Sequence, residues 1–100
     1  MMTISKNKAG EKVVLSLEGR LDTTTAPQLQ EQLIPEFDTA KYIQVDFKNL
    51  SYVSSAGLRV LLMGEKTAQA KGGKMTLVNV SAEIQEIFEM TGFSDVLTLE

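Results

Sequence analysis

The chemistry open to this chain is concentrated in one short segment, Ser54-Ser55-Ala56-Gly57, and in two carboxylates upstream of it, Asp22 and Asp46. Two adjacent hydroxyls stand where a helix is expected to start. Ser55 falls where an N-cap belongs, its oxygen accepting from an N–H two or three residues on. Gly57 in the first turn lets another backbone approach closely. The plainer reading makes Ser55 a cap and Gly57 a packing glycine, with no further role. Asp22 and Asp46 have the residue type for acid–base work or Mg²⁺ binding. The simpler account is that Asp22 accepts hydrogen bonds at a loop end and Asp46 orients the loop leading to Ser55. Catalytic patterns fail one by one. A G-x-S-x-G elbow around Ser55 needs Gly where Val53 stands. Gly73-Lys74-Met75 lacks both the Ser/Thr and the earlier Gly of a P-loop. Ser5-Lys6-Asn7-Lys8 matches S-x-x-K only within an expected edge strand.

Composition narrows the field further. At 100 residues the chain is one domain's worth, expected to span 1–100. It has no Cys and no His, which removes the thiol nucleophile, the disulfide, the commonest general base and the commonest metal ligand. No enzyme activity, cofactor or metal is expected. A net charge of −3 gives no electrostatic pull towards nucleic acid or anionic lipid. The most apolar stretch, Leu58 to Met63, is interrupted by Arg59 and falls far short of the roughly 20 residues that cross a bilayer. The segment from Met1 to Lys6 lacks the apolar run of a signal peptide. The expected location is cytoplasmic, with no direct membrane insertion.

The elements that must position Ser55 can be read from periodicity. Ile4 to Asn7 and Val13 to Leu17 read as strands around a turn at Ala9-Gly10. Thr23-Thr24-Thr25 before Ala26-Pro27 signals a helix start, a Thr hydroxyl capping a free N–H, and the helix runs to about Phe37, kinked or shortened by Pro35. Tyr42 to Phe47 is an apolar strand, followed by a short extended piece at Tyr52-Val53. A long helix then opens at Ser54-Ser55 and stops at Gly72-Gly73. Met75 to Val80 gives another strand, Ser81 caps a third helix ended by Gly92, and Val96 to Leu99 supplies a last short strand. The order β-β-α-β-α-β-α-β predicts an α/β fold with three helices or more. Its sheet is mixed and mostly parallel, of four to five strands, with an antiparallel hairpin strand at one edge. Functional groups in such sheets gather at the carboxyl ends of the parallel strands, where Asp22, Asp46 and the Ser54-Ser55 segment fall.

The run from Leu50 to Leu62, LSYVSSAGLRVLL, closely resembles the signature of the STAS domains of bacterial anti-sigma-factor antagonists. Gly19-Arg20-Leu21-Asp22 and the Val45-Asp46-Phe47 strand stand upstream at the spacing that family shows, and the likeness covers essentially the whole chain. It implies a STAS fold and a binding switch. In that family the residue matching Ser55 is phosphorylated by a partner kinase, and an acidic residue like Asp22 belongs to the partner-facing rim. Two positions depart from the better-known members, which carry Asp at the place of Ser54 and Ser or Thr at that of Ala56. The loss of the acidic neighbour makes Ser54 a rival acceptor.

The implied function is sequestration of an anti-sigma factor, itself a serine kinase, by the unphosphorylated protein, with a serine phosphatase resetting the switch. Two other classes share the family. One is a non-phosphorylated STAS subunit of a membrane transporter's ATPase; the other is a small-ligand or nucleotide-sensing module. The long helix carries more apolar residues than one core stripe of Val60, Leu61, Gly64, Thr67 and Ala68 needs. Leu58, Leu62 and Met63 are thus either buried under neighbouring elements or part of a docking patch beside Ser55. The expected switch rim is Asp22, Asp46, Ser54, Gly57, Leu58, Leu62 and Met63.

Overall fold

Alternation of apolar and polar residues drives the first two strands together. In the computed structural model, which describes residues 2–100, β1 (Met2–Ala9) and β2 (Lys12–Leu21) form an antiparallel hairpin with Ile4 opposite Leu17 and Lys6 opposite Leu15. Met1, the first residue of the expected 1–100 span, lies outside the described residues. Val13, Leu15 and Leu17 are buried, whereas the intervening Val14 and Ser16 are half-buried on the opposite face. β3 (Tyr42–Val53) and β4 (Lys74–Val78) continue the sheet in the order β1-β2-β3-β4, with β2, β3 and β4 parallel. Each parallel step crosses through a helix, α1 (Ala26–Leu33) and then α2 (Ser55–Ala70), and α3 (Ala82–Thr91) follows β4. The expected α/β order holds, and its last strand shrinks to a single parallel bridge between Leu77 and Leu99.

Two boundaries differ from the expectation. The first helix ends at Leu33, and Ile34–Asp38 continues as a 3-10 turn with Pro35 near its start. Proline lacks the N–H that an α-helix interior needs, and its ring collides with the carbonyl four residues back. β3 also runs unbroken through Asn49 to Val53, because β2 follows it through register shifts between Ser16 and Glu18 and between Gly19 and Arg20.

Leu15, Ile43, Val45 and Leu77 from the sheet pack in one core with Leu29, Leu33 and Leu61 from α1 and α2, all fully buried. Each such side chain contributes about 1.5–3 kcal/mol by leaving water. Phe47 meets Phe88 edge to face, with centroids 6.2 Å apart and planes at 73°, which ties α3 to β3. One polar cluster joins β1 to the 3-10 turn: buried Glu36 accepts from Lys6 Nζ and stands 3.4 Å from Lys8 Nζ. The Lys6 hydrogen bond holds the Glu36 carboxyl below its ordinary value against the opposing effect of burial.

Candidate functional site: the rim at the start of α2

β2 and β3 finish side by side, Leu21 next to Val53. The chain leaves β3 through Ser54, whose N–H donates to the Leu21 carbonyl at 2.8 Å. This bond carries sheet order into the first turn of α2. Ser54 keeps extended dihedrals (φ −93°, ψ 173°), and its Oγ accepts from the Gly57 N–H at 3.4 Å. Ser54 is therefore the N-cap and Ser55 the first helical residue, which corrects the expected cap by one position. The physical reason is that a cap must stay extended, and the bond to Leu21 holds Ser54 that way. The two hydroxyls part company as a result. Ser54 is half-buried with its oxygen engaged; Ser55 is exposed, and its hydroxyl makes no hydrogen bond among the described residues.

Gly57 is buried against β2. A Cβ there would stand 2.6 Å from Leu21 Cγ and 3.2 Å from Leu21 O, so only glycine lets α2 lie this close to the end of β2. It is a packing position, not a surface one. Leu58, placed on the docking patch by the sequence, is also core, at 4 % exposure. It projects towards the same side as Leu61 and Glu65, which face inward. Leu62 and Met63 are half-buried at the edges of the outward face.

Asp22 closes β2 as a loop-end acceptor. Its Oδ1 accepts from the Thr24 hydroxyl at 2.7 Å, the Thr24 N–H at 3.0 Å and the Thr25 N–H at 3.1 Å. The Thr24 hydroxyl bond is the main cause holding its carboxyl below the ordinary aspartate value. The expected cap of α1 by a Thr hydroxyl is not made: Thr25 is the N-cap residue, but its side chain forms no cap hydrogen bond. That hydroxyl is buried and turns back to β2, donating to Arg20 O and accepting from Asp22 N–H, both at 2.8 Å. Asp46 serves a different loop from the one assigned to it. Its Oδ1 accepts from Lys48 N–H and from Asn79 Nδ2, both at 2.9 Å, pinning the turn after β4 where Asn79 takes φ 57°. Its hydrogen bonds do not reach the Ser54–Ser55 segment.

Sequence reasoning passed over a neighbour of this rim. Arg20 and Tyr52 are register partners at the ends of β2 and β3, and the guanidinium lies 4.4 Å from the ring centroid. Tyr52 is 38 % exposed, and Arg20 Nε stands 3.8 Å from Asp22 Oδ2. An aromatic at the polar end of an otherwise apolar strand was the available signal. A shallow groove lined by Gln30, Pro35, Thr67 and Lys71 lies at the far end of α2 and shares no residue with the rim. The rim is an open surface on which the Ser55 hydroxyl is exposed and makes no hydrogen bond among the described residues.

The chain belongs to the STAS domain family: the family's sequence model, described as "Mlab, STAS domain", matches residues 4–99. It is 34 % identical over 80 residues to the anti-sigma-B factor antagonist of Staphylococcus aureus (strain NCTC 8325), covering 79 % of this chain and 74 % of that protein. To the anti-sigma-B factor antagonist of Bacillus subtilis (strain 168) it is 29 % identical over 87 residues, 87 % of this chain and 80 % of the relative. Its fold matches that of the anti-sigma factor antagonist SpoIIAA in unphosphorylated form, with TM-score 0.84 at 22 % identity over 98 % of this chain and 88 % of the other. The phosphorylated form of the Bacillus cell fate determinant SpoIIAA gives TM-score 0.78 at 22 % identity over 98 % and 91 %. Among the described residues no helix is long and apolar enough to cross a membrane.

Proposed function

We propose that this chain is a cytoplasmic anti-sigma-factor antagonist, one STAS domain over 1–100, that works by binding and not by catalysis. Unphosphorylated, it sequesters an anti-sigma factor that is also a serine kinase, and so regulates sigma-dependent transcription. The kinase transfers the γ-phosphoryl group of ATP to Ser55 Oγ, releasing ADP and the hydroxyl proton; a serine phosphatase hydrolyses the ester and resets the switch. The observation that carries this reading is the exposed, unpaired hydroxyl of Ser55 beside a Ser54 whose oxygen is spent on the Gly57 N–H. It favours Ser55 over Ser54 as acceptor. A phosphate in the first turn of α2 meets favourable N–H groups and dipole, so the fold tolerates it. It adds about −1.5 to −2 charges beside the docking rim, and binding is lost through repulsion and desolvation.

Incubation with the cognate kinase and ATP should add one phosphate, mapped to Ser55. Calorimetric binding to the anti-sigma factor should survive in Ser55→Ala, now indifferent to ATP, and weaken in Ser55→Asp. A phosphate on Ser54, or tight binding by Ser55→Asp with none by Ser55→Ala, would overturn the assignment. Phosphoserine mapping on protein purified from the native cell also separates this switch from an unphosphorylated transporter subunit or a ligand-sensing module.

A further inference from the structure

The outward face of α2 is basic in an acidic protein. At about 100° per residue, Ser55, Arg59, Leu62, Met63 and Lys66 share one stripe about a third of the helix circumference wide. Ser55, Arg59 and Lys66 are exposed, and Leu62 and Met63 half-buried. The one carboxylate of the helix, Glu65, faces inward at 8 % exposure. Arg59 is one of only two arginines in a chain of net charge −3, and the other, Arg20, is engaged by Tyr52 and Asp22. Among the described residues Arg59 has no ion pair, and the residues three and four positions away on its helix are Ser55, Ala56, Leu62 and Met63, none of them charged. The one group within i,i+4 reach that can become an anion is the Ser55 hydroxyl.

We propose that this stripe docks an acidic, partly apolar surface of the protein partner through Arg59, and that a phosphate on Ser55 closes the docking point by taking the Arg59 guanidinium for itself. The charge pattern selects the occupant: an exposed fork of donors between two half-buried apolar side chains, with no carboxylate in ion-pair range among the described residues, is complementary to a partner carboxylate set among apolar groups. The spacing selects the competitor. Residues four apart on a helix bring their Cβ atoms to about 5–6 Å, and an anion N-terminal to its cation is the favourable orientation. A phosphoserine oxygen reaches the guanidinium across one turn and cancels the cation the partner needs. Phosphorylation then acts twice, by adding a negative charge and by neutralising Arg59.

The proposal rests on Ser55 as the acceptor, and its test keeps the two apart by installing phosphoserine at position 55 during translation, with no kinase involved. The second ionisation of the phosphate, followed by ³¹P chemical shift, should lie about half a pH unit lower in the otherwise native chain than with Arg59→Gln, and between the two with Arg59→Lys. Without phosphate, Arg59→Gln should weaken calorimetric binding of the purified anti-sigma factor by at least about tenfold, with a smaller dependence on salt. Equal ionisation in native and Arg59→Gln chains, or unchanged binding by Arg59→Gln, overturns the proposal. A Ser55 that no kinase modifies would instead defeat the switch reading and leave the ionisation difference standing. Arg59 is exposed, so both variants should fold, which a thermal melt verifies.

Discussion

Leu21 and Gly57 touch across the gap between β2 and α2, with the Leu21 carbonyl also accepting the Ser54 N–H at 2.8 Å. The end of one strand thus sets both the start and the closeness of the helix that presents Ser55. Gly57→Ala should bring in a methyl group 2.6 Å from Leu21 Cγ. With Leu21 Cγ at 2.6 Å and the Leu21 carbonyl oxygen at 3.2 Å, overpacking should cost about 2–3 kcal/mol and the gain in helix propensity return about 1, so a net loss of about 1–2 kcal/mol is expected in urea unfolding. A variant as stable as the native chain would show that the contact relaxes freely.

The one-residue placement of the cap has its own signature. Ser54→Ala should lose about 0.5–1 kcal/mol, since its 3.4 Å bond to Gly57 N–H is the cap, whereas Ser55→Ala should stay within about 0.5 kcal/mol. Paired thermal melts decide it. A larger loss in Ser55→Ala would restore Ser55 as the cap.

Leu58 and Met63 separate core from surface on the same helix. Leu58→Ala should cost about 2–4 kcal/mol because a buried side chain leaves a cavity. Polar replacement of Leu62 or Met63 should change stability by less than about 1 kcal/mol while weakening partner binding about tenfold or more. Destabilisation by several kcal/mol at either position would assign it to the core and remove it from the docking stripe.

Acid should loosen the molecule through Glu36. Its carboxyl is held below the ordinary 4.5 in the folded state, chiefly by Lys6, so the unfolded chain binds the proton more readily. The contribution is complete above the unfolded value and is lost as pH falls through the lowered folded one; Asp22, lowered by Thr24, adds in the same sense. Denaturation midpoints measured from pH 7 to pH 3 should fall below about pH 5. Glu36→Gln should start about 1 kcal/mol lower at pH 7 and decline less steeply. Parallel curves for the two proteins would assign the acid limb to other carboxylates.

Periodicity and punctuation alone determined the order of strands and helices, the start of α2 near Ser54-Ser55 and its stop at Gly72-Gly73, because these are local properties of a few adjacent side chains; the resemblance to STAS domains singled out Ser55. The absence of His and Cys set the catalytic prior from composition. What only the tertiary structure decided were questions of partners distant along the chain. Which of Ser54 and Ser55 caps α2 depends on Leu21 O, which holds Ser54 extended. The Thr25 hydroxyl prefers Arg20 O to its own helix, and Asp46 holds Asn79 after β4 instead of the loop before α2. Leu58 goes inward and Arg59 outward because the sheet and neighbouring elements occupy one side of α2 and leave the other to water. A hydrophobic pattern reports its period, but the neighbours that share a face are set by strand register, and that exists only once β2, β3 and β4 have come together.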